Sequence, residues 1–383
     1  MTKQSKSNNG GIVSPQVTKS NPELTQSVSE NKDVLITDDF FGQAGRGPLA
    51  AVRGLGVAGY RPSVAFSSPT ALAAASRHCV ERIRVPPAES DGFAHALRQE
   101  LERNAYLAVF PGSDVGLVAL GGTHLHLLDK AVLAEAGAAA GIAVPPSRVF
   151  NSPEELLEEA KDFDFPVVIK PTRSHDSRTA RSADDLVWWV GRNEPLLMQP
   201  YLTDQLRAVA GVIWRGRLVA AVHQRHLRTW NADPGGPASA AETVEPDLEL
   251  EKKMLRLLSD YDGIFMAELR GDYLLDLNLR IYASLALAIR AGANLPRIHC
   301  DLLRGESVDF VRARPGVFYR WLDGDVRSVI WAAYRGRLTP REAVRALMPR
   351  RGAAHGGPES LTDPRPMLAR MGQGVQKLRQ SAG

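Results

Sequence analysis

Cysteine is nearly missing from this 383-residue chain: only Cys79 and Cys300 occur, with no Cys-x-x-Cys pair. That excludes a disulfide-stapled scaffold and a cysteine zinc knuckle, and it fits a reducing, cytoplasmic setting. No apolar run is long enough to span a bilayer; the longest, residues 131–144, is rich in Ala and Gly and broken by Glu135. The first residues lack the basic-then-apolar order of a signal peptide. Neither charge sign dominates, because 47 Lys plus Arg against 43 Asp plus Glu leave a net +4. Neither nucleic acid nor a membrane is therefore expected as a partner, although a pI of about 9.1 suits an anionic small molecule. Lysine is also scarce. There are ten, and only Lys130, Lys161 and Lys170 fall between Asp33 and Glu251. In a chain that uses arginine almost everywhere else, these few lysines are candidates for specific tasks.

Residues 1–31, rich in Ser, Asn, Gln and Lys, read as a disordered tail. Strands then alternate with helices: strands at 34–37, 61–66, 81–85 and 106–110, helices at 48–57, 71–76 and 92–104, and a turn at 111–114. This alternation predicts a doubly wound parallel α/β sheet over about 33–120. An α+β region follows over about 129–305. It has helices at 129–140, 153–161 and 249–261, strands at 165–170 and 196–199, and a hairpin at 209–222 around Arg215-Gly216. Residues 318–334 and 340–347 read as amphipathic helices, and 350–383 as polar and weakly patterned. There is no internal repeat.

The richest chemical pattern is a second hairpin, 264–280. Glu268 interrupts one apolar strand, and the other reads Leu274-Leu275-Asp276-Leu277-Asn278-Leu279-Arg280. Side chains alternate along a strand, so Asp276, Asn278 and Arg280 share one face and Leu275, Leu277 and Leu279 the other. Pairing through the turn sets Glu268 beside Asp276. Two carboxylates, an amide and a guanidinium on one face are costly to desolvate unless an ion sits there. Mg²⁺ (or Mn²⁺) carrying phosphates satisfies all four, and a solvated sheet face is the competing account. Lys170 ends an apolar strand and opens a polar loop containing Arg173 and Arg178, which suits an α- or β-phosphate; a lysine reaching for water is the alternative. Lys130 stands at a helix start, where a cation opposes the helix dipole, and so points to a nearby anion.

Three other features carry less. Gly54–Gly59 matches the dinucleotide fingerprint GxGxxG, but it ends a helix and precedes a strand, where Gly59 reads as a C-cap. Residues 42–47 follow the first strand and read as a substrate-binding loop. His124/His126, His223/His226 and His299-Cys300 lack further ligands at metal-site spacing and read as surface or core residues.

Taken in order, Leu128-Asp129-Lys130, Phe165-Pro166-Val167-Val168-Ile169-Lys170, Leu197-Met198-Gln199-Pro200-Tyr201-Leu202, Gln224-Arg225-His226, Glu268 and Asp276-x-Asn278-x-Arg280 resemble the ATP-grasp superfamily. The likeness is to its carboxylate–amine ligases and biotin-carboxylase-like enzymes, and it covers about residues 33–305. Within it the chain is similar to the predicted ATP-dependent carboligase group, which also carries a Ser-Arg pair like Ser76-Arg77 and a Gly-Gly loop like Gly235-Gly236. The resemblance implies a pre-ATP-grasp α/β domain (32–125) and a two-lobed ATP-grasp domain (126–305, lobes near 140–200 and 201–305). A C-terminal helical extension and tail (306–383) would follow.

The resemblance also implies ATP with Mg²⁺ or Mn²⁺. A carboxylate would be activated as an acyl phosphate and joined to an amine, with amino acids or peptides as small-molecule substrates and a homodimer as one expectation. Lys130 and Lys170 would hold phosphates, and Gln199–Leu202 would be the hinge that meets adenine through the amide of Tyr201 or Leu202. Glu268, Asp276 and Asn278 would bind the metal. Arg280 would stabilise the acyl phosphate, with Arg225 and Arg228 as weaker candidates, and Arg173 would clamp phosphate. Three departures stand out: residues 171–182 contain no Gly where a Gly-rich lid is usual, Asp276 replaces the commoner Glu, and a biotin-acceptor Met-Lys is missing. The last disfavours biotin carboxylation. A catalytically silent ATP-binding module and, more remotely, a nicotinamide-dependent oxidoreductase are the rival readings.

Overall fold

The computed structural model describes residues 30–39, 45–68, 71–173, 176–230 and 236–371. The expected tail (1–29), residues 42–44 of the 42–47 loop, His175 and Gly235 lie outside the described residues. In chain order the first region contains β1 (Asp33–Asp38), α1 (Arg46–Val57), β2 (Arg61–Phe66), α2 (Leu72–Ala75), β3 (Arg82–Arg84), α3 (Gly92–Arg103), β4 (Ala108–Phe110) and α4 (Asp114–Ala119). The four strands form a parallel sheet in the order β3-β2-β1-β4. Val34 and Ile36 pack with Leu49, Val52 and Leu55 of α1, while Leu35 packs with Phe93 and Leu97 of α3. Helices on both faces explain why β1 is apolar at successive positions. Helix α1 ends in a Schellman motif, with Gly59 at φ +86, its amide on the Gly56 carbonyl and the Tyr60 amide on Leu55. The GxGxxG pattern is therefore a helix exit. Helix α4 was not expected; the 111–114 turn doubles as a helix start, with the Ser113 hydroxyl accepting from the Gly116 amide.

Next come α5 (Lys130–Ala139), β5 (Arg148–Phe150), α6 (Pro153–Glu158), β6 (Val167–Pro171), β7 (Arg178–Ala180) and β8 (Leu196–Pro200). Asp129 caps α5 by accepting from the Ala131 and Val132 amides. The strands form an antiparallel sheet in the order β5-β8-β6-β7 over a core of Phe150, Leu156, Ile169, Leu186 and Trp189. The Gly-free segment 171–182 thus contains a strand: β7 folds back onto β6.

The remainder comprises β9 (Leu206–Trp214), β10 (Arg217–Thr229), β11 (Ala238–Thr243), α7 (Leu248–Leu257), β12 (Gly263–Arg270), β13 (Tyr273–Asn278), α8 (Leu285–Arg290), α9 (Leu295–Leu303), β14 (Val311–Arg312), β15 (Phe318–Arg320), α10 (Leu322–Tyr334), α11 (Pro340–Leu347) and β16 (Ala354–His355). The large sheet runs β13-β12-β9-β10-β11-β15-β16, with β14 beside β10. Its two faces separate with period two. Ala208, Ala210, Val212, Ile264 and Met266 join the core of α1, α8 and α9, whereas Val209, Ile213, Phe265, Ala267 and Leu269 join that of α5 and α7.

The C-terminal region differs from its sequence reading. Residues 318–320 are a strand rather than the start of a helix, and β14, β15 and β16 add to the large sheet. Asp363, expected in a weakly patterned tail, is buried against the first region. It accepts from Ser76 Oγ at 2.7 Å, the Arg77 amide at 2.9 Å and Arg53 Nε at 2.9 Å. Among the described residues no helix is long and apolar enough to cross a membrane.

Candidate active site

The three sheets meet around a cleft with a cavity volume of about 430 Å³. The β12–β13 hairpin supplies its floor. Its register sets Glu268 opposite Asp276 and Met266 opposite Asn278, so the two carboxylates are cross-strand neighbours. A β-bulge follows Glu268, because the next aligned pair is Leu269 with Leu274 and Leu275 has no partner. The bulge breaks the expected alternation: Leu275 lines the cleft together with Asp276 and Asn278, while Leu277 and Leu279 point into the core. The unpaired Leu275 carbonyl accepts from Lys170 Nζ at 3.4 Å, which ties the end of β6 to the hairpin.

Electrostatics mark this floor. Lys170 is buried, and burial lowers its pKa to about 8; Asp276 and Glu268 oppose the shift and Lys130 adds to it. Burial, reinforced by Asp276, raises the Glu268 carboxyl to about 7. Two adjacent carboxylates, one held near half-protonation at neutral pH, fit a site where a divalent cation replaces a proton. Among the described residues no cluster of three or more His, Cys, Asp or Glu side chains could hold a metal alone. The donor set is two carboxylates and the Asn278 amide, which suits a hard cation whose remaining ligands come from phosphate oxygens. Arg280 closes this end. Its Nε donates to Asp114 at 2.5 Å and Nη1 to the Ile281 carbonyl at 3.1 Å, while Nη2 has no acceptor among the described residues.

Lys130, Gln199, Tyr201 and Leu202 also line the cleft. The Lys130 amide donates to the Thr172 carbonyl at 2.8 Å, fixing the start of α5 against the end of β6. The Gln199 side chain donates to Ser147 Oγ at 2.9 Å, and the Tyr201 amide to the Pro166 carbonyl at 3.2 Å. Of the two hinge amides proposed for adenine, Tyr201's is thus engaged, whereas Leu202's has no acceptor among the described residues.

Three sequence candidates stand elsewhere. Arg225 is half exposed on the opposite face of β10 from His226 and pairs with Glu242. Arg228 makes a two-pronged pair with the buried Asp325 of α10, Nε to Oδ1 at 2.7 Å and Nη2 to Oδ2 at 2.8 Å. Arg173 is three-quarters exposed and pairs with Asp129. None of the three lines the cleft. Arg46 and Gly47, from the 42–47 segment read as a substrate-binding loop, do line the cleft; sequence reasoning passed over Tyr282 and Ser284, which line it too and carried no local signal.

His226 lines the cleft with both ring nitrogens buried and without partners among the described residues, and burial lowers its pKa to about 4. His299, wedged between Phe110 and Trp214, is likewise lowered to about 4. Unfolded, both titrate near the ordinary 6.5. Below that pH the unfolded chain binds the extra protons, so stability is full above about 6.5 and falls as pH drops toward 4. Each histidine is expected to contribute about 1.4 kcal/mol per pH unit in this window. Urea unfolding at pH 7 and pH 5 measures this, and His299→Phe should flatten part of the slope; equal slopes in wild type and variant would contradict it.

No sequence-family model and no curated protein matches the chain. Three-dimensional comparison does find relatives. An L-amino acid ligase from Bacillus licheniformis superposes with a TM-score of 0.55 at 13% identity, covering 71% of this chain and 74% of that one. N5-carboxyaminoimidazole synthetase from Staphylococcus aureus, solved with ADP, gives 0.58 at 14% identity, covering 74% and 81%. The biotin carboxylase domain dimer of Hydrogenobacter thermophilus 2-oxoglutarate carboxylase, solved with MgADP, ADP and bicarbonate, gives 0.56 at 16% identity, covering 75% and 73%. These likenesses extend over most of each chain, and they agree with the motif order in the sequence: the chain has the ATP-grasp fold.

Proposed function

We propose that this protein is an ATP-dependent ligase that activates a substrate carboxylate and joins it to an amine, releasing ADP and phosphate. The observation that carries this reading is the cross-strand pair Glu268–Asp276, with Asn278, Lys170 and Arg280 around it, in the cleft of an ATP-grasp fold. Among the structural neighbours one is an L-amino acid ligase and two were solved with ADP, which supports the same class. Glu268, Asp276 and Asn278 would hold Mg²⁺, which when bound neutralises phosphate charge and orients the transferring group. Lys130 and Lys170 supply positive charge for the phosphates, and the Leu202 amide is the free donor for the adenine edge. Arg280, anchored on Asp114, keeps Nη2 for the anionic oxygens that develop as the carboxylate is phosphorylated. Phosphoryl transfer asks for positioning and charge neutralisation rather than covalent participation of side chains, and that is what this residue set offers.

A panel of acid–amine pairs assayed for ADP release with Mg²⁺ tests the reading. Release that requires one acid and one amine together is the expected result. Tight Mg-nucleotide binding with no release across the panel would overturn it in favour of a silent nucleotide-binding module.

A further inference from the structure

Arg46 opens α1 and is 97% buried, with only 3% of its surface accessible. Its Nη1 donates to the Ala238 carbonyl and to Tyr319 Oη, both at 3.1 Å, and its guanidinium lies 4.0 Å from the Trp321 ring centroid. Among the described residues no carboxylate pairs with it, Nε is buried without an acceptor and Nη2 makes no hydrogen bond. A buried guanidinium without a counter-charge is costly, and a ligand anion would offset that cost. A second unsatisfied donor belongs to another residue of the cleft wall: Tyr282 lines the cleft, and its Oη is buried without a partner among the described residues. The start of α1 carries no acidic residue in its first turn and no side-chain cap; the buried Asp38 carboxylate stands against its N-cap Gly45 and accepts from the Ala73 amide instead.

Gly47 fixes this arrangement. A Cβ there would lie 2.7 Å from the Tyr282 carbonyl oxygen, so only glycine lets the helix start seat against residues 281–282. The place is distinct from the phosphate end. Arg46 reaches β11 and β15, whereas Glu268 stands on β12; three strand spacings of about 4.8 Å separate β12 from β11, roughly 14 Å.

We propose that Arg46, Tyr282 and the amino end of α1 form a subsite for a carboxylate that does not react, carried by the amine co-substrate. This rests on the ligase reading: Arg46 is anchored on β11 and β15, away from the β12–β13 hairpin that would hold the metal and phosphates, which leaves it for the second substrate. The implied co-substrate is an amino acid or peptide whose own carboxylate stays free.

The test titrates acetate against melting temperature at constant ionic strength, with and without saturating MgADP, and uses acetamide as the uncharged control. Acetate should raise the melting temperature and acetamide should not. Arg46→Gln should weaken acetate at least tenfold, Arg46→Lys less and Tyr282→Phe about threefold, with MgADP affinity within twofold of wild type throughout. An Arg46→Gln protein with wild-type acetate response would overturn the subsite; if that variant does not fold, an unchanged response in Tyr282→Phe would do so. Failure of MgADP to bind wild type would sink the ligase reading while leaving the acetate result interpretable. In turnover, Arg46→Gln or Arg46→Lys should raise KM for the amine alone, and a rise confined to the acid would overturn the assignment to the amine.

Discussion

Asp276→Ala and Arg280→Ala are each expected to cut ATP turnover by about 10²–10³ while leaving the fold intact, the usual cost of removing one preorganised electrostatic stabiliser. Both side chains are only partly buried, so neither loss opens a core cavity. Asp276 is the carboxylate whose charge both raises Glu268 and partly restores Lys170, so removing it changes the protonation of the whole floor. Removing Arg280 takes away a guanidinium that lines the cleft and leaves Asp114 without its 2.5 Å ion pair to Arg280, a partly exposed loss at the start of a short helix. Single-turnover ADP release and melting temperature measured on the same preparations separate the two effects. Wild-type-like turnover in either variant would remove the hairpin from the chemistry.

Asp325→Ala is expected to cost about 3–5 kcal/mol of folding stability, because it strips the counter-charge from the buried Arg320 and the partly buried Arg228 and leaves both uncompensated. Asp325 is fully buried and pairs with Arg228 and Arg320. Through them it ties β10 and β15 to α10 and to the carbonyls of Ala346 and Leu347 at the end of α11. Arg228→Ala should cost less, since Arg320 remains, and should leave kcat per folded molecule unchanged. That second measurement decides Arg228's role: a catalytic arginine would lose kcat, a structural one only its urea midpoint.

Local pattern carried much of the architecture. The apolar run of β1, the Gly59 helix exit, the Arg215-Gly216 hairpin and the β12–β13 pairing all arise from interactions within a few residues. Period two or 3.6, turn residues and caps display such interactions directly. The Glu268–Asp276 juxtaposition was legible for that reason: one short turn fixes it. The bulge at Leu275 was not, since Leu-Leu-Asp-Leu-Asn alternates cleanly on paper and only the pairing with β12 shows the extra residue. The C-terminal strands were read as helix and tail because segments of two or three residues carry no period of their own; their partners in the large sheet make them strands.

The sequence by itself determined which chemistries were available: two hairpin carboxylates, scarce lysines at strand and helix ends, and many arginines. Tertiary structure alone decided which arginine serves the cleft. Arg225, Arg228, Arg280 and Arg46 are chemically identical, and their separate fates depend on distant partners. Asp325 claims Arg228 from 97 residues away, and Tyr319 meets Arg46 from 273. Contacts at such separations leave no periodic trace along the chain, so a residue's charge is written locally while its address is set by the packed fold.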